Sequence, residues 1–423
     1  MHKLLLFTLF LLQATLTIAQ KSITLQQCIS QAERNSPQIG LMPLIDNATK
    51  LQVELLKKNY LPQTSAMAQS TWQSATTNVP IELPGIEIAK LSKFQYKATI
   101  DVTQSIWDGG VTKQQQRIAQ AAANNDLEKV KTDLYTLREQ VSTLFFGVVL
   151  ADKQIENTRL VRKDLENKRE RTKNLKANGM ATGTQILAIE ARLIELEQQV
   201  NEAESRRNSA VEALTILTGN KNIASSVFAI DNIISNIDTA QIKRPELAYF
   251  KAQQLAIEAN EKLIKAKNMP KIGAFATAGV GRPSLNMLSN DLQPYFITGI
   301  QVRMPLTQFY TKSENIERQQ LYINQQKIKQ MEQNFLWLMR IKSASQLEDI
   351  KRFDKILAND KKLIAIRQEM LATADVQLQN GIISTNDYLT EVNNLDLARQ
   401  NMAIHEVQQS QAINNLKITL GQW

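Results

Sequence analysis

The sequence predicts a mainly α-helical chain with a minority of β-strand, written twice by internal duplication. Three observations predict it. First, the same punctuation recurs: "ANGMATGTQIL" (Ala177–Leu187) and "QNGIISTNDYL" (Gln379–Leu389) place Gly179 and Gly381 202 positions apart, and Leu187 and Leu389 202 apart. Second, Val111–Lys176 and Thr311–Gln379 contain no proline and only one glycine, Gly147, so nothing in them stops a helix. Third, two pairs of stretches of about ten residues alternate apolar and polar side chains, the period of a strand. The composition agrees. Across 423 residues there are 14 glycines, 10 prolines and 6% aromatics, sparse for a packed α/β enzyme.

The chain opens with "MHKLLLFTLFLLQATLTIAQ". A short basic start, an apolar core from Leu4 to Leu12 and small residues at Thr17-Ile18-Ala19 predict a secretory signal peptide over residues 1–19. The alternative, an uncleaved anchor, would need about 20 apolar residues. No later stretch reads as a membrane helix. Two repeats follow, residues 20–221 and 222–423. "ILTG" ends at Gly219 and "ITLG" at Gly421, again 202 apart, while Pro37 and Pro245, and Pro62 and Pro270, are 208 apart.

Within each repeat the order of elements is the same. A helix comes first, over Thr24–Asn59 and from Pro245 to Asn268. Two strands follow: Pro62–Ser74 with Phe94–Asp108, then Lys271–Gly281 with Tyr295–Leu306. Next comes a long helix that could reach about 100 Å at 1.5 Å per residue, then the Asn-Gly break and a returning helix that stops at Gly219 or Gly421. A helix of that length needs neighbours along its whole course. On the first returning helix Ile189, Leu193, Leu196, Val200, Ala203, Ala210, Leu214 and Leu217 follow alternating steps of four and three, with Arg207 in the missing place. That predicts a coiled-coil seam. In the second repeat Leu395, Ala398, Met402, Ala412 and Leu416 match it, with His405 where Ala203 stands. His405 has no second suitable ligand nearby, so it reads as packed or hydrogen-bonded.

Composition and motifs exclude several classes. The net charge is +9, but Lys and Arg alternate with Glu and Asp, as in "RKDLENKRERTK" (Arg162–Lys173), the pattern of a solvated helix face and not of a nucleic-acid surface. Cys28 is the only cysteine, so no intrachain disulfide can form. It reads as a buried structural thiol; "LQQC" as a lipid-attachment box is the alternative, weakened by bulky Gln27. With no P-loop, nucleophile elbow or zinc-ligand cluster, the chain does not read as an enzyme, and no cofactor or metal is expected.

On Phe94–Asp108, Tyr96, Ala98, Ile100 and Val102 share one face, and Lys97, Thr99, Asp101 and Thr103 the other. On Tyr295–Leu306, Phe296, Ile300, Val302 and Met304 oppose Gln301 and Arg303. Such strands suit a membrane β-barrel, apolar outward and polar inward; two half-buried soluble hairpins are the alternative. Four strands cannot close around a lumen, and lipid does not tolerate an open edge. Several copies must then share one barrel. Three would supply twelve strands and would surround the long helices with neighbours.

This order of elements resembles the TolC family of outer-membrane efflux proteins. The resemblance spans almost the whole mature chain. It is carried by the duplication, "QSIWDGG" (Gln104–Gly110) leading from strand into helix, "RPEL" (Arg244–Leu247) and the paired Asn-Gly breaks. It implies a homotrimer with a twelve-stranded outer-membrane β-barrel, four strands per chain, continuing into a periplasmic α-helical coiled-coil barrel. Its implied location is the cell outer membrane, in contact with outer-membrane lipid and with a large periplasmic portion. Its implied partners are a periplasmic adaptor (membrane fusion) protein and an inner-membrane transporter; nucleic acid is not among them. The Asn-Gly stretches become helix–helix turns at a periplasmic tip that docks the adaptor, a role carried to Gly179, Met180, Ala181, Thr182 and Thr184, and to Gly381, Ile382, Ile383, Ser384 and Thr385. Met180, Ile382 and Ile383 are expected to be exposed there. Asp387 matches the first acidic gate position; Thr390 stands where some members have a second aspartate. A threefold ring of Asp387 would repel anions and raise its own pKa, or Asp387 caps the helix start. The second strand–helix junction, "MPLTQFYTKS" (Met304–Ser313), lacks the Gly-Gly turn of the first and must turn differently around Gln308–Tyr310. The expected function is a passive exit duct for small molecules in a tripartite efflux system. The rivals are the outer-membrane component of type I protein secretion and a pore-less periplasmic coiled-coil scaffold.

Overall fold

A computed structural model of the chain describes residues 22–77, 91–230 and 237–422; the expected signal peptide lies outside them. In chain order the elements are β1 (Ser22–Thr24), α1 (Leu25–Asn35), a 3-10 turn (Pro37–Gly40), α2 (Leu41–Lys57), β2 (Gln63–Trp72), β3 (Phe94–Trp107), α3 (Val111–Ala177) and α4 (Gly183–Thr218). The second repeat supplies β4 (Val227–Ala229), α5 (Pro245–Lys267), β5 (Lys271–Arg282), β6 (Gln293–Arg303), α6 (Thr307–Thr311), α7 (Ser313–Gln379) and α8 (Thr385–Leu420). The duplication is metrical: α3 and α7 each have 67 residues, α4 and α8 each 36.

The single first helix expected over Thr24–Asn59 is two helices. Proline disfavours helical backbone at the residue before it, and Ser36, before Pro37, is extended at φ −62°, ψ 129°. Its hydroxyl then accepts the Gln38 N–H at 3.4 Å to start the 3-10 turn. Upstream, Thr24 and Gln27 close a reciprocal capping box on α1.

Two compact units can be described, each drawing on both repeats. The first contains residues 22–41, 130–230, 237–247 and 333–422. Its core gathers Cys28, Ile29 and Ala32 of α1, Val141, Phe145 and Phe146 of α3, Leu214 of α4, Ile223, Phe228 of β4 and Val407 of α8. Phe145 meets the edge of Phe146 at 5.6 Å and Phe228 at 5.4 Å between ring centres. β1 pairs in parallel with β4, Ile23 opposite Phe228, which ties the start of one repeat to the start of the other. Cys28 is fully buried, and burial pushes its thiol up to about 12: it packs as a small hydrophobe.

The coiled-coil seam holds through the middle of α4 and then slips. Ile189, Leu193, Leu196, Val200, Ala203 and Leu214 are buried as expected, but Val211 and Thr218 take the buried places of Ala210 and Leu217, which are only partly covered. In α8 Leu395, Ala398 and Leu416 are buried, while Ala403 and Val407 replace Met402. A straight α-helix drifts about 20° per heptad against a 3.5-residue repeat, so one face cannot keep the strict pattern over five turns or more.

The second unit contains residues 42–77, 91–129 and 248–332. Its four-stranded antiparallel sheet has the order β2-β3-β5-β6. The two hairpins join through β3 and β5, with Ile100 opposite Ala278 and Asp101 opposite Thr277. β2 and β6 are the free edges. The first strand–helix junction turns through Gly109 and Gly110, at φ 75° and 84°. The Asp108 carboxylate caps it, accepting the N–H groups of Gly110 (2.9 Å) and Thr112 (2.6 Å) and the Tyr60 hydroxyl (2.9 Å). The second junction does turn differently. After α6, Lys312 adopts φ 52°, the one positive φ of a non-glycine residue among those described, and α7 starts at Ser313.

Candidate functional site

The two helix–helix turns are built identically. α3 ends in a left-handed Gly179 at φ 74°, and the Met180 N–H reaches back to the Leu175 carbonyl at 2.8 Å. α7 ends in Gly381 at φ 69°, and the Ile382 N–H reaches the Gln377 carbonyl at 2.9 Å. These six-to-one bonds satisfy carbonyls that a helix end otherwise strands. Each next helix opens with a capping box: Thr182 with Gln185 on α4, Ser384 with Asp387 on α8. A Cβ on Gly179 or Gly381 would meet nothing within 4 Å; only the backbone conformation demands glycine there.

The turns present a mixed surface. Met180 is 68% and Ile382 69% exposed. Gly179, Thr182, Thr184, Gly381 and Ser384 are also exposed, and Ala181 is half-buried. Two of the sequence-selected residues face inward. Ile383 packs against a core cluster, correcting its expected exposure, and Thr385 is buried.

Asp387 is exposed at the first turn of α8. Its Oδ2 accepts the Ser384 N–H at 2.9 Å and the Ser384 hydroxyl at 2.7 Å. Those hydrogen bonds hold its carboxyl below the ordinary aspartate range. Within one chain Asp387 is therefore a helix cap. Thr390, one turn on, is exposed and donates to the Asn386 carbonyl at 2.9 Å.

Behind the turns lies a layer of charge that the sequence did not single out. The apolar cluster there joins Val161 and Leu165 of α3, Ile189, Leu193 and Leu196 of α4, Ala374 of α7 and Leu389 and Val392 of α8. Lys168 of α3 forms an ion pair with Asp375 of α7 and lies 4.5 Å from the centre of the Tyr388 ring. Burial, then the charges of Asp375 and Asp164, push the Tyr388 hydroxyl up to about 12. Arg192 of α4 meets Asp396 of α8 at 3.3 Å, with 12% and 3% of their side chains exposed. Arg367 of α7 meets Glu391 of α8 at 3.4 Å. A cavity of about 420 Å³ opens among Asp164, Lys168, Arg171, Asp375, Tyr388 and Asp396. The first two pairs fasten elements of one repeat to those of the other, the third joins α7 to α8 within the second repeat, and only the packing register of the helices brings them together.

In the sheet, alternation separates two faces. Ala66 and Ala68 of β2, Ala98, Ile100 and Val102 of β3, Ala276 and Ala278 of β5 and Phe296, Ile300 and Val302 of β6 are on one face by register. Phe296 is 63% and Ile300 73% exposed. Trp72 pairs with Phe94 at the loop end of that face. On the other face the Asp101 carboxylate accepts the hydroxyls of Thr99 (2.9 Å) and Thr277 (2.6 Å). Thr64, Ser70, Gln104, Arg282 and Thr298 share the first face by register, so it is mainly and not wholly apolar; a face of that kind suits hydrocarbon better than water.

Among the described residues no helix is long and apolar enough to cross a membrane, and no group of three His, Cys, Asp or Glu is placed to hold a metal ion. His405 is bonded to Asp360 through Nδ1 at 2.7 Å and lies beside Phe353.

Residues 28–220 match the sequence model of the outer membrane efflux protein family. No curated protein sequence matches the chain. Among solved structures, the fold is shared with CusC, a protein that forms a transmembrane channel, at a TM-score of 0.67 and 15% identity, over 94% of this chain and 91% of that one. It is shared with the Campylobacter jejuni CmeC outer membrane channel at 0.65 and 15%, over 94% and 85%. It is shared also with the outer membrane protein VceC of Vibrio cholerae at 0.66 and 12%, over 94% and 96%. At such identities the likeness is one of fold.

Proposed function

We propose that the chain is a member of the outer membrane efflux protein family, whose sequence model matches residues 28–220, and that it is the exit duct of a tripartite efflux system. It resides in the outer membrane with a large periplasmic portion, as an efflux channel. In our reading three copies close their sheets edge to edge, β6 of one against β2 of the next, into a twelve-stranded barrel. Their helices continue it as a periplasmic tunnel. Small molecules cross passively, delivered by an inner-membrane pump through a periplasmic adaptor that docks on the turns at Gly179–Thr182, with Thr184, and at Gly381–Thr385.

One observation carries the reading. The sheet has an apolar face and two unpaired edges, β2 and β6, and neither a free edge nor an apolar face of this size is stable alone. The helices argue the same way: Tyr322, Met331, Trp337, Leu338 and Ile341 of α7 are exposed in the single chain, and neighbouring copies would cover them. Asp387, near the second turn, supplies the gate with Thr390 beside it. Three copies turn one capped carboxylate into an acidic ring that attracts cations and repels anions.

The deciding experiment is the mass of the mature protein extracted from the outer-membrane fraction in mild detergent, followed by single-channel conductance. A conducting trimer supports the duct; a soluble monomer or dimer returns the chain to a periplasmic scaffold. Crosslinking to an adaptor, with Gly179 or Gly381 exchanged for bulky residues, tests the docking surface; unchanged crosslinking removes the docking role from these turns.

A further inference from the structure

The register of the second hairpin sets Lys271 of β5 directly opposite Arg303 of β6. Like charges directly opposed on one face of an antiparallel pair repel, and sheets generally avoid them. Here nothing relieves the pair. Among the described residues neither side chain forms an ion pair with a carboxylate. Asp108, the acid that follows β3, has both oxygens engaged by Tyr60, Gly110 and Thr112.

Both cations are on the polar face. Lys271 shares its parity along β5 with Phe275 and Thr277, and Thr277 pairs with Asp101. Across the four strands this face carries three cations, Lys97, Lys271 and Arg303, against one carboxylate, Asp101. Lys97 and Asp101 are on the same strand face, so the excess positive charge falls on Lys271 and Arg303, at the end of the sheet that leads to the helices. A second copy would not cancel it. β2, the other free edge, has the sequence QTSAMAQSTW and no charged residue. Closing a barrel through β6 and β2 therefore brings no carboxylate to Arg303.

We propose that Lys271 and Arg303 form an anion-binding girdle inside the barrel at its helix-side end, and that the duct takes solutes carrying a carboxylate, phosphate or sulfonate. The inference rests on the reading of the strands as a closed barrel with the polar face inward. A repulsive pair kept unneutralised inside a lumen concentrates soluble anions there, and guanidinium beside ammonium suits a multivalent oxyanion. It is the opposite sign to the acidic ring at the tip. An exported anion would meet repulsion at the periplasmic entrance, where the partner pump drives entry, and attraction on the way out.

The test uses the full-length protein reconstituted in phosphatidylcholine bilayers, with tripolyphosphate added on the side of the strand-connecting loops. Tripolyphosphate is expected to block the current, and the block to weaken as salt rises, since the Debye length shortens from about 10 Å at 0.1 M to about 3 Å at 1 M. In Lys271→Gln/Arg303→Gln the half-blocking concentration should rise by at least about tenfold, while Lys93→Gln, outside the strands, leaves it unchanged. The double variant relieves a repulsion, so assembly should survive, and trimer mass in detergent checks that. Block that is absent in a conducting wild type, or equal in the double variant, overturns the girdle and leaves the duct standing. Block that requires anionic lipid overturns it in favour of a lipid-phosphate contact. A protein that conducts no current at all overturns the duct reading, and the girdle with it.

Discussion

The Arg244 guanidinium lies 4.4 Å from the centre of the Tyr135 ring, and both side chains donate to one carbonyl, that of Ile418: Arg244 Nη1 at 3.1 Å, the Tyr135 hydroxyl at 2.8 Å. Arg244 opens the "RPEL" stretch and forks onto Glu246, with Nε to Oε2 at 2.9 Å. Tyr135 also carries Arg138, 4.5 Å from the ring centre and bonded to Glu33 at 2.7 Å. One joint thus ties α1, α3, the start of α5 and the end of α8.

Arg244→Ala is expected to be severely destabilising. It would strand Glu246, whose side chain is 13% exposed, and breaking a buried pair from one side costs about 3–5 kcal/mol. Arg244→Lys should cost less but still measurably, because an ammonium cannot fork onto a carboxylate and stack on a ring together. Denaturant titration in detergent checks the ranking. Equal, negligible losses would remove the joint from the stability argument.

The left-handed glycines separate into two kinds. A Cβ on Gly421 would lie 2.4 Å from the carbonyl carbon and oxygen of Lys243, so Gly421→Ala must push backbone apart. At Gly179 and Gly381 it would meet open space, leaving only the left-handed penalty of about 1–2 kcal/mol. Thermal melts should therefore rank Gly421→Ala well below the other two. A tip-glycine variant that melts almost normally but loses adaptor crosslinking would report on docking rather than folding.

Much of this was legible in the sequence because it is local chemistry. Gly179 and Gly381 need a left-handed backbone, Thr182 and Ser384 are capping residues, and proline-free stretches run on as helix. The break at Ser36-Pro37 had its signal in Pro37. The slip of the seam after Arg207 did not, because it follows from helix geometry accumulated over several turns. Lys312 at φ 52° replaces a glycine turn with a residue that gives no turn signal. Lys168–Asp375 and Arg192–Asp396 were invisible: their partners come from different repeats, and only the helix register sets which side chains meet.

Asp396 should make stability depend on pH. Burial raises its carboxyl above the ordinary value, against the opposing hydrogen bond from Gln400 and the charges of Arg192 and Arg399; Asp164, Lys168 and Arg171 line the same cavity. A carboxyl whose folded pKa is raised contributes stability that is fully present below its unfolded value, about 3.9. That contribution is lost as pH rises through the folded pKa. Asp396→Asn lacks it. The melting temperature of Asp396→Asn relative to wild type should therefore rise from pH 4 to pH 7. A difference that stays constant over that range would mean Asp396 titrates normally.

Asp387 runs with the opposite sign. Its folded pKa is lowered by the hydroxyl and N–H of Ser384, so its contribution is present above the unfolded value and lost as pH falls through the folded one, below about pH 4. Ser384→Ala removes the hydroxyl while keeping the carboxylate, and should shift the acid limb of any Asp387-dependent conductance towards higher pH. Asp387→Ala should abolish that limb and weaken cation preference together. If Asp387→Ala keeps both the preference and the closed state, the carboxylate is a cap alone, and the constriction must be set by other residues near the turns. A shift in Ser384→Ala with none in Thr182→Ala would place the titrating group on the second turn, since the first turn is capped by neutral Gln185.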